Sequence, residues 1–96
     1  MAHYELSELS DRDLGEIYAY TFRQFGEAQA DAYFSALEDC LIRLAESPRL
    51  GRAIDHIRVG YRRFEHRSHV IFYRETERGV LVVRVLHERM DPDRHL

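Results

Sequence analysis

Two side chains near the end of the chain, Arg84 and His87, bring together a fixed positive charge and a group that can move protons near neutral pH. They sit in a revealing context. Val80 to Leu86 is apolar except for Arg84, and His87, Glu88 and Arg89 follow directly. Such a run is best buried as a central strand. A guanidinium inside it is costly unless it is paired or reaches the surface. A core strand that delivers Arg and His to one edge of a sheet makes either a structural ion pair or a surface that meets an anion.

More arginines surround these two. Arg58, Arg62, Arg63, Arg67 and Arg74 precede them, and Arg62 and Arg63, being adjacent, point to opposite faces of a strand. By strict alternation Val80, Val82, Arg84 and Leu86 share one face, while Leu81, Val83, Val85 and His87 share the other. The arginines serve either as a contact surface for an anionic ligand or partner, or as solvated strand edges paired with Glu65, Glu75 and Glu88. The histidines are sparser. His66 and His69 have an i, i+3 spacing that would chelate metal on a helix, but the segment reads as a turn into a strand and offers no third ligand, so no metal site is expected. His69 reads as a packed residue near a strand start, and His87 is the better candidate for chemistry. Tyr61 and Tyr73 read as packing residues. No nucleotide loop, nucleophile elbow or zinc signature is present, so no cofactor and no catalytic set is assigned.

Composition narrows the class. The 96 residues read as one domain, 1–96, and 45% of them are apolar. Cys40 is the only cysteine, so no internal disulfide can form and a reducing cytoplasm fits. The first residues lack both the basic start and the apolar segment of a signal peptide, and no apolar run is long enough for a membrane span. The net charge of −3 conceals an asymmetry. Residues 1–48 carry ten acids against three arginines, and residues 49–96 carry seven acids against eleven arginines. All fourteen basic residues are Arg, which suits bidentate contact with carboxylate or phosphate and cannot act as a general base. The basic half is where a binding face is expected.

The elements that must position these groups follow from periodicity. His3 to Ser7 is a short edge strand. Ser10 opens a helix with acids in its first turn. Leu14, Ile17, Tyr18, Phe22 and Phe25 form its apolar face, and Gly26 stops it. A second helix runs from about Glu27 to Ala45, with Ala30, Tyr33, Phe34, Leu37, Leu41 and Leu44 on one stripe and Cys40 in the core. The two helices make a hairpin. Pro48 lies in a loop. Ile57 to Arg62 alternates as a half-buried strand, Ser68 to Arg74 is another, and Val80 to His87 is the last, with Glu75 to Gly79 as the hairpin loop between them. The predicted order is β-α-α-β-β-β: an α+β fold in which an N-terminal helical hairpin packs an antiparallel sheet.

The residues as a set resemble a known family. Leu14, Ile17, Tyr18 and Tyr20, then Gly26, Ala30 and Tyr33, then Leu37, Leu44, Pro48 and Gly51-Arg52 look like the ParE branch of the RelE/ParE toxins of bacterial toxin–antitoxin systems. So do Gly60-Tyr61-Arg62-Arg63, Ser68 to Arg74, Arg84 to Asp91 and the closing His95-Leu96. The resemblance covers nearly the whole chain, and its order and spacing are more specific than any one motif.

The resemblance implies a toxin that is not itself an enzyme, inhibits DNA gyrase, works in the cytoplasm, and is neutralised by a cognate ribbon-helix-helix antitoxin of the ParD type. Arg62, Arg63, Arg84, His87 and Arg89 are the residues expected to meet target or partner. The alternative is a ribosome-dependent mRNA endoribonuclease of the RelE type. That branch commonly uses Lys, which this chain lacks, and needs a second acid/base group that is not evident beside His87. A third reading is a non-toxic relic that only binds its partner.

Overall fold

A computed structural model describes residues 2–96. Strand β1 (His3–Leu6) leads into α1 (Glu8–Phe25), which Gly26 separates from α2 (Glu27–Glu46). A two-residue strand, β2 (Arg52–Ala53), precedes the meander β3 (Tyr61–His66), β4 (His69–Thr76) and β5 (Gly79–His87), and a short α3 (Pro92–His95) closes the chain. The sheet order is β1-β5-β4-β3-β2. The expected helical hairpin and meander are present, with two additions that periodicity did not signal, β2 and α3.

Beyond the meander the sheet is mixed. β1 pairs with β5 in parallel, His3 opposite Gly79 and Leu6 opposite Val82, rather than completing an antiparallel sheet. Four residues carry no directional signal, so the sense of pairing is set by where the hairpin returns the chain. Gly79 allows the pairing. Its φ is 151°, and a Cβ there would lie 1.9 Å from the backbone oxygen of His3.

The start of α1 is displaced from the expected Ser10. Ser7 is the cap: its side chain accepts the Ser10 N–H at 3.0 Å and donates to the Val83 carbonyl at 2.8 Å. Ser10 is wholly buried one turn later. The expected strand from Ile57 also begins late. The N–H groups of Ile57 and Arg58 both fold onto the Ile54 carbonyl, Gly60 takes a φ of 85°, and Val59 is 83% exposed. A turn therefore occupies 54–60, and the strand starts at Tyr61.

The main core lies between the hairpin and one face of the sheet. Leu37, Cys40, Leu41 and Leu44 of α2 and Leu14 of α1 meet Ile71, Tyr73, Val80, Val82 and Val85. Phe22 and Phe25 were expected on the same apolar face, yet they remain 46% and 59% exposed. A smaller core covers the opposite face, where Ile54, Val70, Phe72 and Leu86 pack with Ile57, Tyr61 and the terminal Leu96. Arg58 donates to the Leu96 carbonyl and Arg84 Nη1 to that of His95 at 3.2 Å, which hold the C-terminal turn in place.

One irregularity decides which way β5 presents its residues. Phe72 lies opposite Arg84, but Tyr73 lies opposite Val82, so Val83 is an extra residue in β5. The bulge shifts the alternation. Val85 joins Val80 and Val82 on the hairpin side, and Leu86 goes with Phe72 to the other. Strict alternation had set Val85 apart from Val80 and Val82. The bulge also moves His87 opposite His69; without the extra residue His69 would face Leu86.

Candidate functional site

A cleft of about 800 Å³ opens where α1 and α2 overhang the far ends of β4 and β5. Ile17, Val85 and Leu86 line its inner part, and Tyr20 and Phe25 of α1, Tyr33 of α2 and Met90 supply apolar walls. Its polar groups are Arg67, Ser68, His69 and His87 at the strand ends, Asp13, Glu16 and Arg84 on the α1 side, and the uncharged Thr21 and Gln29 of the helices. Both leading sequence candidates, Arg84 and His87, thus line one space.

Arg84 is already engaged. Its Nε donates to Asp13 Oδ2 at 2.8 Å and its Nη2 to Asp13 Oδ1 at 2.9 Å, a bidentate pair whose side chains are only 14% and 10% exposed. Asp13 Oδ2 also accepts the Val85 N–H at 3.0 Å. β1 ends at Leu6, so on that edge β5 has no neighbouring strand beyond Val82, and the Asp13 carboxylate supplies the acceptor the ladder lacks there. The hydrogen bonds that the guanidinium donates to Asp13 raise its pKa above the ordinary value against the opposing effect of burial. The two open possibilities for a charged core strand resolve here, at this position, into an ion pair that fastens α1 to the edge of β5.

His87 has different company. Its ring lies 5.6 Å from that of His69, at 85°. The Tyr33 hydroxyl is 2.7 Å from His69 Nδ1, and the Tyr33 ring lies 5.6 Å from those of both His66 and His69. Behind them the Cys40 thiol is 3.3 Å from His66 Nδ1. Burial lowers the pKa of His69, helped by the nearby His87 and His66 and opposed by Glu88. Burial, then Arg67, lowers that of His66, and burial raises those of Cys40 and Tyr33. Cys40 and His66 are therefore a neutral thiol–imidazole contact. Among the described residues, no three His, Cys, Asp or Glu side chains are placed to hold a metal ion.

The other basic candidates lie elsewhere. Arg62 Nη1 donates to the Gly51 carbonyl at 2.8 Å, and Arg63 lies over the Phe72 ring at 5.6 Å on the opposite face. Neither borders the cleft. Arg89 follows β5 and is exposed, and its backbone N–H donates to His87 Nδ1 at 3.2 Å. Arg67 stood in the arginine set but not among the five residues expected to meet target or partner, and sequence reasoning missed Asp13, Tyr33 as a polar group, and the pairing of His69 with His87. The hairpin register was a usable signal for that pairing, but only with the bulge known. Tyr73, expected in the core, is there, and its hydroxyl donates to Pro48 and accepts from the Gly51 N–H, both at 2.8 Å.

This geometry can be set beside known proteins. The family described as ParE toxin of type II toxin–antitoxin system, parDE, matches residues 4–92. The chain belongs to the ParE toxin family. Similar relatives include Toxin ParE1 of Mycobacterium tuberculosis strain H37Rv, 46% identical over 96 residues that cover 99% of this chain and 98% of the relative. Toxin ParE1 of Caulobacter vibrioides is 38% identical over 96 residues, covering 100% and 99%. A solved structure described as a chromosomal ParDE TA system from P. aeruginosa superposes with a TM-score of 0.75 over 91% of this chain and 96% of that one. At 16% identity it speaks for the fold alone. The ParE resemblance first read from the spacing of Leu14 to Leu96 is thus the family found. This ParE-family chain is a toxin component of a type II toxin–antitoxin system. Among its described residues, no helix is long and apolar enough to cross a membrane.

Proposed function

We propose that this ParE-family toxin arrests growth by binding and inhibiting DNA gyrase in the cytoplasm, without catalysis, and that a cognate ribbon-helix-helix antitoxin neutralises it. The observation that carries the non-catalytic reading is the commitment of Arg84 to Asp13. A ribonuclease needs free positive charge on the phosphate beside its acid/base groups. Here the arginine nearest His87 along β5 is tied to a carboxylate, which leaves Arg67, in the exposed turn before β4, as the unpaired cation of the cleft among the described residues and a point in favour of a nuclease. The antitoxin reading draws on the cleft, whose walls leave Tyr20, Phe25 and Met90 exposed by 56%, 59% and 39%. Apolar surface of that kind, rimmed by charge, suits an amphipathic segment of a partner. His87 and Arg89 beside the cleft, and Arg62 and Arg63 across the sheet, are the proposed contact residues. Arg84 contributes by holding the wall in shape.

A second observation favours the alternative reading, an mRNA endoribonuclease: His69 supplies the second imidazole that the sequence did not reveal. A single experiment separates the two. The toxin is induced without antitoxin, and growth, DNA supercoiling and cleavage of ribosome-bound mRNA are followed for wild type, His87→Gln and Arg89→Ala. A gyrase binder keeps most of its toxicity in His87→Gln and is weakened in Arg89→Ala, with supercoiling affected in wild type. A nuclease that uses His87 loses about 100-fold or more in rate in His87→Gln. Cleaved mRNA with unaffected supercoiling overturns the proposal.

A further inference from the structure

The charges around the cleft are not equivalent. Arg84 and Asp13 satisfy one another and leave little net field. Arg67, by contrast, has no ion pair among the described residues; it stands in the turn between β3 and β4 with a φ of 53°. His69 and His87 stand beside it, facing each other across β4 and β5. That end of the cleft therefore holds one permanent cation and two imidazoles. The groups around the imidazoles come from every neighbouring element. Tyr33 approaches from α2, His66 from the end of β3 with Cys40 behind it, and Arg67 from the turn. Glu88 and Arg89 follow β5, and Glu16 and the Asp13–Arg84 pair lie on the α1 side. Glu88 is the one carboxylate close enough to influence His69. Ile17, Tyr20, Phe25, Val85, Leu86 and Met90 make the apolar part of the cleft, with the uncharged Thr21 and Gln29 among them.

We propose that the cleft receives an acidic amphipathic segment of the antitoxin, that one of its carboxylates sits between Arg67, His69 and His87, and that binding draws a proton onto the histidine pair. This rests on the reading of the cleft as the antitoxin site and adds the chemistry of what enters it. In the free toxin, burial, with His87 and His66 close by, keeps His69 short of protons. An arriving carboxylate supplies the missing counter-charge, so His69, with His87 beside it, holds a proton in the complex that it lacks in the free toxin. Tyr33 makes the change easy. At 2.7 Å from His69 Nδ1, its hydroxyl donates to the bare nitrogen and can accept from the protonated one without moving. The apolar residues supply area, and the histidine end supplies the counter-charge that fixes where the carboxylate sits.

The consequence is measurable. Affinity must rise as pH falls from the alkaline side through the histidine range, by at most about tenfold per pH unit for each proton taken up. It levels off once His69 of the free toxin is protonated too. Calorimetric titration of the full toxin with its purified ribbon-helix-helix antitoxin, in two buffers of different ionisation enthalpy, counts the proton directly. Uptake of about half to one proton near neutral pH is expected. The double variant His69→Gln/His87→Gln should lose that uptake and the pH dependence of Kd. Should the double variant fold poorly, His87→Gln alone, at an exposed position, should reduce both. Tight binding with no uptake, with proton release, or with uptake that persists in the double variant overturns the inference and leaves the antitoxin reading intact. Binding that is unmoved by Tyr20→Ala and Phe25→Ala instead removes the cleft as the antitoxin site.

Discussion

Replacing Asp13 by Ala tests what fastens the hairpin to the sheet. The substitution removes three acceptor contacts, two from Arg84 and one from the Val85 N–H, at distances of 2.8 to 3.0 Å. Both side chains of the pair are largely shielded, at 14% and 10% exposure. The stranded guanidinium keeps only the His95 carbonyl at 3.2 Å. Removing one partner of a buried pair costs about 3–5 kcal/mol, and a backbone N–H left without an acceptor adds about 1–3 kcal/mol when water cannot reach it. Residual exposure lets water relieve part of both, so a total loss of about 3 kcal/mol is expected. Domains of this size have about 5–15 kcal/mol of stability, so the variant should fold, with a Tm lower by more than about 10 °C. The assay is urea unfolding of the purified toxin, repeated at about 1 M salt, where the screening length is about 3 Å. A shielded pair keeps most of its effect there. Asp13→Leu with Arg84→Met removes both charges and should recover much of the loss, the Val85 N–H remaining unpaired. A loss below about 1 kcal/mol for Asp13→Ala, or one that vanishes in high salt, would refute the reasoning and place the pair among ordinary surface contacts.

Three further expectations use the same protein. Leu41, 2% exposed in the main core, should cost about 2–5 kcal/mol on truncation to Ala, read by urea unfolding; a loss under about 0.5 kcal/mol would mean the stripe is open to solvent. Gly79→Ala forces a Cβ to 1.9 Å from the His3 oxygen at a φ of 151°, so it should release β1 and abolish slow hydrogen exchange at the His3 N–H, which now donates to the Arg78 carbonyl. The folded protein holds the pKa values of His66 and His69 below the ordinary value, so the unfolded chain binds more protons in acid. Stability is therefore full above about pH 6.5, the ordinary histidine value, and declines as pH drops below it until the folded imidazoles also protonate. His69→Gln should flatten that decline, and a stability flat in wild type from neutral to mildly acid pH would contradict it.

Much of the scaffold was legible because it rests on local rules. Gly26, at a φ of 92°, separates two helices whose stripes are plain in the sequence, and the run Val70–Tyr73 and the valines of β5 mark the core strands. Helix existence and strand existence depend on periodicity, which is written residue by residue. What escaped depends on one residue meeting another far along the chain. The expected cap at Ser10 is an example. Ser7 and Ser10 satisfy the same local rule, and Ser7 prevails because its hydroxyl also reaches Val83, 76 positions away. The exposure of Phe22 and Phe25 is another, since an apolar helix face is buried only as far as the sheet beneath it extends.

The bulge at Val83 joins these cases into one. A strand of near-uniform valine gives no sign of where an extra residue will sit, because every register buries apolar side chains about equally well. The choice falls to polar groups outside the strand: Ser7 takes the Val83 carbonyl, and Asp13 takes the Val85 N–H and the Arg84 guanidinium. Those contacts fix the extra residue between the two strand halves. By fixing it they turn Val85 toward the helices and bring His87 opposite His69. The same α1 residues that close the free edge of β5 therefore also compose the cleft. Loss of Asp13 should accordingly be felt at the histidine pair, in a changed titration of His69, whose pKa burial and the neighbouring His87 lower, and not only in the stability of the hairpin.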